Sequence, residues 1–260
     1  MSDIDNCQAR TKSVGLFVTC LVDFLRPSIG WAAVKLLQDA GCKVEVPAAQ
    51  TCCGQPAWNS GDRSTAQDIA RDVIKTFETY DYVVVPSGSC AATLVKDFPE
   101  MLRDDEKWAA RARALAVKSY ELISFLTDVL HVKSVDAKFS GNATYHDSCS
   151  GLRSLGIKNQ PRQLLASVDG MRLVEMQDAE VCCGFGGTFC VKYSDISNVM
   201  VGKKSVNVEA TQAPLLMAGD LGCLMNIKGK LSREEKDVEV RHVAEVLAGT
   251  LDTPGIGDKP

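Results

Sequence analysis

The sequence lacks the features of a secreted, membrane-spanning or nucleic-acid-binding protein. Residues 1–12 are polar and include Asp3 and Asp5, where a secretory signal needs a basic start and an apolar run. The most apolar early stretch, residues 14–25, contains Asp23 and is too short to cross a bilayer, which takes about 18 apolar residues. Lys and Arg are scattered through a chain of net charge -4, so no basic stripe is available for a phosphate backbone. We therefore expect a cytoplasmic protein that has no transmembrane segment and does not bind nucleic acid.

Cysteine, in contrast, is abundant, with 11 residues in a chain of 260. In a protein without a secretory signal these thiols are expected to stay reduced, which favours metal binding or redox chemistry over structural disulfides. The length and a hydrophobic content of 45% suit either one large α/β domain or two domains of about half that size. The spacing of the cysteines is therefore the main evidence on organisation.

Eight of the cysteines form two matching sets. The first set is Cys20, Cys52, Cys53 and Cys90, and the second set is Cys149, Cys182, Cys183 and Cys223. The lone cysteine precedes the adjacent pair by 32 positions in the first set and by 33 in the second. The pair precedes the last cysteine by 37 and 40 positions. Such similar spacing indicates a duplication.

Apolar runs typical of strands alternate with helical patterns in both halves. The predicted strands are residues 14–19, 43–47 and 82–86, then 143–146, 172–176 and 215–219. The predicted helices are residues 28–40 and 63–79, then 160–167 and 194–210. This alternation predicts an α/β fold with two pseudo-repeated βαβ lobes and mostly parallel sheets. All eight cysteines then lie at the carboxyl ends of the strands, where such sheets bind ligands.

The repeat also predicts the domain boundaries. We expect a flexible tail over residues 1–13, a first cysteine-rich domain over 14–137, a second over 138–250, and a second flexible tail over 251–260. The polar stretch 135–142 is the predicted linker. Residues 119–130 and 238–247 each predict a short strand or turn followed by a closing helix.

The chemistry of each set suits a metal centre. Thiolate is the soft ligand of iron-sulfur clusters and of many zinc ions, and four is the number that both usually need. Adjacent cysteines reach one site only if the backbone turns sharply beside them, and Gly54 and Gly184 permit that turn. An adjacent pair suits a cluster with several metal corners better than a single ion. Residues 87–89 and 184–187 are expected to direct backbone N–H groups at the site.

The remaining candidates have several interpretations. Cys42 is predicted to be a core thiol, Cys7 a free thiol in the tail, and Cys190 either a thiol beside the second site or a spare ligand. His146 is a possible ligand or proton donor, but a hydrogen-bonded partner that fixes the loop is the favoured interpretation. Arg153 suits contact with a substrate carboxylate or a partner as well as an ordinary surface role.

The cysteine motifs resemble a known family. Residues 16–23, 52–57, 86–90, 182–189 and 222–226 resemble the cysteine-rich (CCG) domain family of the heterodisulfide reductase B subunit and of the iron-sulfur subunits of glycerol-3-phosphate and glycolate oxidases. The likeness is strongest to its lactate-utilization protein A branch and covers residues 14–247. It implies a subunit of a cytoplasmic complex that oxidises L-lactate to pyruvate together with companion iron-sulfur and accessory proteins. It also implies one or two 4Fe-4S clusters, held by the two sets of four cysteines.

The chain departs from that family at informative positions. Members usually end each motif in Cys-x-x-Cys, but the first of those cysteines is Ser87 in one half and Asp220 in the other. Four-cysteine coordination is therefore expected instead of the five-cysteine noncubane cluster. Ser150 stands where many relatives have a histidine. No flavin or nicotinamide motif is present, so we expect electron transfer with a partner and not lactate oxidation by this chain alone. A zinc-binding scaffold and a thiol-disulfide reductase of the heterodisulfide type remain alternatives.

Overall fold

The fold consists of two lobes that repeat one topology. The computed structural model describes residues 11–258, so the predictions for residues 1–10, including Cys7, and for residues 259 and 260 lie outside it. The first sheet contains β1 (Ser13–Leu16), β2 (Lys43–Glu45), β3 (Tyr82–Val85) and β4 (Ser119–Glu121). The second contains β5 (Lys138–His146), β6 (Asp169–Leu173), β7 (Leu215–Ala218) and β8 (Glu239–His242). The strand orders β2-β1-β3-β4 and β6-β5-β7-β8 are equivalent, and every pairing is parallel, as predicted.

Helices connect the strands of each sheet. The first lobe contains α1 (Cys20–Leu25), α2 (Pro27–Asp39), α3 (Gln55–Asn59), α4 (Arg63–Phe77), α5 (Gly88–Ala92), α6 (Phe98–Met101), α7 (Ala109–Val117) and α8 (Leu122–Ser124). The second contains α9 (Asn159–Leu165), α10 (Phe189–Lys192), α11 (Ser194–Ala210), α12 (Leu221–Arg233) and α13 (Val243–Leu247). π-Helical turns cover Thr93–Asp97, Phe125–Val129 and Ser150–Ser154. Each helix that the structure describes is too short or too polar to span a bilayer.

The long helices follow from their sequence patterns. α4 begins at a cap in which Asp62 accepts a hydrogen bond from the N–H of Thr65, and it buries apolar residues three and four positions apart. Pro27 occupies the first turn of α2, where the missing N–H has no intrahelical partner. Both helices pack their apolar faces on the sheet of the first lobe.

The structure differs from the sequence prediction at two boundaries. β5 begins at Lys138 and pairs there with Asp169, so the strand includes most of the predicted linker. Residues 251–258 were expected to form a tail, yet Ile256 is buried and its N–H donates to the carbonyl of Val240. The side chain of Asp258 also pairs with Lys228 at 2.7 Å. Pairing with β6 and contact with β8 provide partners that neither polar segment reveals in isolation.

The lobes exchange contacts through their closing helices. α13 of the second lobe packs on α2 of the first, and α8 of the first lobe packs on α9 of the second. At the α2–α13 contact, the carboxylate of Glu245 accepts hydrogen bonds from Arg26 Nε at 2.8 Å and Ser28 Oγ at 2.7 Å. Gln160 of α9 donates to Asp128 in the π-helical turn that follows α8. These reciprocal contacts bring the carboxyl ends of the two sheets together.

Glu121 is a buried carboxyl group at this junction. Its Oε2 accepts hydrogen bonds from the N–H groups of Ile123 and Ser124 and so caps α8, while Oε1 is buried without a hydrogen-bond partner among the described residues. Burial raises the pKa of Glu121 from 4.5 to about 7, against the opposing effect of those two hydrogen bonds. The carboxyl group is therefore half protonated near neutral pH.

This pKa predicts a pH dependence of stability. Between pH 4.5 and 7 the folded protein holds a proton on Glu121 that the unfolded chain releases, so the free energy of unfolding falls as pH rises. We expect Glu121→Gln to remove that slope. The variant should gain roughly 3 kcal/mol relative to the parent between pH 4 and pH 8, measured by urea denaturation. The exposed Glu106→Gln is the control, and equal pH slopes in both variants and the parent would contradict the assignment.

Candidate metal centres

The four cysteines of the first set converge at the carboxyl ends of β1, β2 and β3, at a place we call the first centre. Cys20 begins α1, the adjacent pair precedes α3, and Cys90 lies within α5. The Sγ atoms of Cys20 and Cys52 are 3.7 Å apart, and those of Cys53 and Cys90 are 3.3 Å apart. Cys20 is exposed and Cys53 is buried, so the thiols form a path from the surface into the lobe.

The second set converges in the same way at the second centre. The Sγ atoms of Cys183 and Cys223 lie within 4.8 Å of each other, and the thiols of Cys149, Cys182 and Cys183 are near enough to perturb one another's pKa. This centre lies deeper, because Cys183 and Cys223 are only 1% and 6% exposed. A ring nitrogen of His146 lies within 4.8 Å of both of those sulfurs. The eight cysteines therefore form two groups of four, one at the end of each sheet.

Each adjacent pair is placed by a glycine turn. Gly54 and Gly184 have φ angles of +80° and +88°, which other residues adopt at a cost. The N–H of Gly54 donates to Cys52 Sγ at 3.4 Å, and that of Gly184 donates to Cys182 Sγ at the same distance. The turn thus aims both cysteines of a pair at one centre and supplies a backbone donor to the first of them.

Gly184→Ala is expected to destabilise the second lobe. A Cβ at this position would lie 3.0 Å from the carbonyl oxygen of Ser197 and 3.1 Å from Cβ of Met200. The left-handed backbone costs about 1–2 kcal/mol and the crowding about 1 kcal/mol or more. Gly41→Ala is the matched control, because its φ is +82° but nothing lies within 4 Å. Urea denaturation should show a clearly larger loss for Gly184→Ala; equal losses would mean that crowding at the turn is unimportant.

Hydrogen bonds polarise the thiols of both centres. Donation from Cys20 and then from Cys53 lowers the pKa of Cys52 to about 2, and donation from Cys149 and then Cys183 lowers that of Cys182 to about 2. The same bonds, together with burial, raise the pKa values of the donors. Each centre therefore has one strongly favoured thiolate at the first cysteine of its pair, and thiolate is the form that binds metal.

The two centres differ in their buried surroundings. Val73 on α4 and Lys204 on α11 occupy equivalent positions. In each lobe one residue of the helix, Ala66 or Ser197, faces the turn glycine. Val73 and Lys204 lie seven residues after these two. Lys204 is 1% exposed, and its Nζ donates to the backbone carbonyls of Asp178 and Ala179. Within residues 11–258 it forms no ion pair with a carboxylate. The second centre thus has a buried cation beside its thiols where the first has a valine.

An ion pair that no sequence pattern reveals lies behind the second centre. Asp147, which is 2% exposed, accepts two hydrogen bonds from Arg162, at 2.8 and 2.9 Å. Its backbone N–H donates to the carbonyl of Ala179. This pairing fixes the loop that leads from β5 to Cys149. Contacts between distant segments leave no local pattern, but Lys204 had a signal, because it shares one helical face with Val201 and Val208.

The two departures from the family pattern contact each other. Ser87 and Asp220 are the N-cap residues of α5 and α12, the helices that contain the last cysteine of each centre. Ser87 Oγ donates to Asp220 Oδ2 at 3.1 Å, and the N–H of Ser89 donates to the same oxygen at 2.9 Å. Asp220 is 3% exposed. These residues therefore connect the two centres through hydrogen bonds between their helix caps.

A cavity of about 190 Å³ adjoins the first centre. All four thiols of the centre line it, and Phe185, Gly187 and Thr188 of the second lobe close its opposite side. A single tetrahedral ion bound between four sulfurs needs no such space, whereas a multi-iron cluster does. The thiol donors and the cavity at the first centre fit an iron-sulfur cluster.

The other candidates lie in different surroundings. Cys42 is buried in the apolar core of the first lobe, as predicted. The thiol of Cys190 is half-buried and donates to the carbonyl of Gly187, without contact to the second centre's sulfurs among the interactions that the structure describes. Arg153 is exposed near Glu180. The Nδ1 atom of His146 lies 3.1 Å from the carbonyl oxygen of Ala179, a hydrogen bond of the kind that the sequence analysis favoured.

Comparison with known proteins gives a consistent likeness. The profile of the cysteine-rich domain family, CCG, matches residues 14–95 and 143–228. Lactate utilization protein A of a Geobacillus species (strain WCH70) is 50% identical over 234 residues, which cover 90% of this chain and 98% of that protein. The Anoxybacillus flavithermus protein of that name is 48% identical over the same shares. A hypothetical protein from Helicobacter pylori has a similar fold, with a TM-score of 0.63 at 11% identity over 96% of this chain and 50% of that chain.

Proposed function

This chain belongs to the cysteine-rich CCG domain family and, within it, to the lactate utilization A proteins, and from that membership we propose an iron-sulfur electron-transfer subunit of a complex that oxidises L-lactate to pyruvate. The observation that carries the proposal is the convergence of two groups of four thiols at equivalent sheet ends. Companion proteins are part of the proposal, because this chain has no motif for a hydride acceptor. A cytoplasmic location is also part of the proposal.

The donor chemistry supports clusters at both centres. Cys20, Cys52, Cys53 and Cys90 would hold one cluster, and Cys149, Cys182, Cys183 and Cys223 the other. An iron-sulfur cluster bound to cysteine thiolates supplies a one-electron carrier. A lactate molecule gives up two electrons, so two centres in one chain suit a relay from a two-electron partner to one-electron carriers. Four thiolates per centre favour the ordinary 4Fe-4S type.

Side chains and backbone groups of this chain would determine which of the two centres has the higher reduction potential. Backbone donors at Gly54 and Gly184 point at equivalent sulfurs, so they affect both centres alike. Lys204 places a positive charge beside the second centre only, and the apolar Val73 has no such effect on the first. A nearby positive charge favours the reduced, more negative state. We therefore place the second centre at the higher reduction potential, with the exposed first centre as the point of electron entry.

A zinc-binding scaffold is the second candidate, because one observation favours it. Four sulfurs bound to one zinc ion at about 2.3 Å are about 3.8 Å apart. The separations of 3.7 Å between Cys20 and Cys52 and of 3.3 Å between Cys53 and Cys90 are close to that value. Hydrogen bonds between thiols account for the same distances, and the cavity beside them suits a cluster better. A scaffold of this kind would carry zinc without sulfide.

Reduction by lactate separates the two functions. The complex is purified anaerobically through a tag on this chain, and its visible absorbance is followed after L-lactate is added. We expect bleaching of the iron-sulfur absorbance in the complex, and none when lactate is added to this chain alone. A complex that dithionite bleaches but lactate does not would refute the proposed role in lactate oxidation. A colourless complex containing zinc would favour the scaffold.

A further inference from the structure

One buried ring distinguishes the two centres. Phe17 and His146 are equivalent, since each lies three residues before the lone cysteine of its set, and both are fully buried. Phe17 packs against Phe77, with ring centroids 5.4 Å apart. His146 lies instead beside the thiols of Cys183 and Cys223. The duplication therefore preserved the cysteines but placed a nitrogen donor at only one centre.

Hydrogen bonding defines which ring nitrogen of His146 has a free lone pair. Nδ1 of His146 faces the carbonyl oxygen of Ala179 at 3.1 Å, and because a carbonyl only accepts, Nδ1 must carry the proton. The lone pair of the neutral ring is then on Nε2. That atom is fully buried and has no hydrogen-bond partner among the described residues. A buried nitrogen without a partner is costly, and because this ring lies beside the thiols of Cys183 and Cys223, a metal bound there would satisfy it.

We propose that His146 Nε2 is a direct ligand of the metal at the second centre, together with Cys183 and Cys223 and in place of one of the other two thiolates of that group. This inference rests on the proposed function, in which both groups of thiols hold metal. A ring nitrogen of His146 and the sulfurs of Cys183 and Cys223 already lie within 4.8 Å of one another, and metal bonds of about 2.3 Å to sulfur and about 2.0–2.1 Å to imidazole nitrogen are compatible with one shared centre. The first centre is then all-thiolate, and the second is a mixed centre of thiolate and imidazole.

The mixed ligand set has a chemical consequence. A neutral imidazole donates less negative charge than a thiolate, and replacing thiolate with histidine raises the potential of an iron-sulfur cluster. Nδ1–H bonded to a carbonyl is the usual support of a histidine that ligates metal through its other nitrogen. His146 and Lys204 thus act in the same direction on the second centre. Phe17 and Val73 leave the first centre without either effect.

Isotope labelling tests the ligand without relying on a variant. The chain has three histidines, and within residues 11–258 only His146 lies within ligand distance of the thiols. Full-length protein is purified anaerobically with natural or ¹⁵N-labelled histidine, reduced with dithionite, and examined by pulsed EPR. We expect one of two clusters to show a strong nitrogen hyperfine coupling that changes with the label. The coupling should be lost completely in His146→Ala and kept in the exposed control His131→Ala.

Each of the other possible results supports or overturns one of the two proposals. Two reduced clusters without coupling to histidine nitrogen would overturn the ligand but leave the cluster proposal intact. Zinc in place of clusters would overturn the electron-transfer proposal, and X-ray absorption at the zinc edge would then test the ligand. A nitrogen contribution that disappears in His146→Ala would support it, and an all-sulfur shell in the parent would overturn it.

Discussion

Cys183→Ser is expected to remove the metal of the second centre and, with it, half of the iron and acid-labile sulfide of the chain. Cys183 is 1% exposed and its thiol interacts with those of both Cys182 and Cys223, so it occupies the middle of its group. A serine hydroxyl at that point is a poor ligand for iron and does not restore the lost thiolate. Cys53→Ser, at the equivalent position, should remove the other half. Iron and sulfide analysis of anaerobically purified variants provides the measurement.

Cys42→Ser is the control for this pair of variants. Cys42 is 8% exposed in the apolar core, away from either centre, so its loss should affect stability while the iron content is unchanged. Two independent centres predict that Cys53→Ser combined with Cys183→Ser leaves no iron. Complete loss of metal in either single variant would instead indicate one shared centre, and full retention in both would contradict ligation by these cysteines.

Glu245→Ala should cause the largest loss of stability among the predicted substitutions. The carboxylate is fully buried where α13 meets α2, and it accepts hydrogen bonds from Arg26, Ser28 and the N–H of His242. Its removal leaves Arg26 and those donors without their acceptor in the contact between lobes. Breaking a buried pair in this way costs about 3–5 kcal/mol. Urea denaturation followed by circular dichroism measures the change.

An exposed ion pair on α2, the helix that Glu245 contacts, provides the comparison. Lys35 and Asp39 form an ion pair on α2, with 50% and 60% of their side chains exposed, so Lys35→Ala should cost at most about 0.5 kcal/mol. The contrast assigns the effect to the contact between lobes and not to α2 itself. A loss below about 1 kcal/mol for Glu245→Ala would show that the apolar contacts of α13 alone hold the lobes together.

Local patterns were sufficient to predict the repeated elements of the fold. The predicted helix over residues 194–210 has the bounds of α11, and every predicted strand corresponds to a strand of the structure. The predictions were less accurate where pairing decides the structure. Residues 138–142 are polar and pair with β6, and Ile256 is held by the carbonyl of Val240. Such partners are distant in sequence and leave no periodic signal.

The candidate centres, like the fold, were predicted from the sequence only in part. Spacing alone selects the eight cysteines, since a duplicated ligand set must repeat along the chain. It does not reveal how the halves differ, because Asp147, Arg162 and Asp220 are ordinary charged residues until the fold brings their partners to them. His146 was identified as a candidate, but only the fold shows that its ring, with an unpartnered Nε2, lies beside the thiols of Cys183 and Cys223.

The hydrogen bond between caps gives a physical reason for the departures at Ser87 and Asp220. Relatives with Cys-x-x-Cys have a thiol at these positions, and a thiol is a weaker hydrogen-bond acceptor than a carboxylate. In this chain Asp220 accepts from Ser87 and from the N–H of Ser89, and it also caps α12. In this chain these positions therefore form a contact that joins the caps of the two helices containing Cys90 and Cys223.

Metal and sulfide content tests the central claim most directly. The measurement is iron, acid-labile sulfide and zinc per chain in protein purified without oxygen. Two groups of four thiolates holding clusters predict iron and sulfide in equal amounts, divided between the two centres, with no stoichiometric zinc. Stoichiometric zinc without sulfide, or colourless protein without iron, would contradict the account.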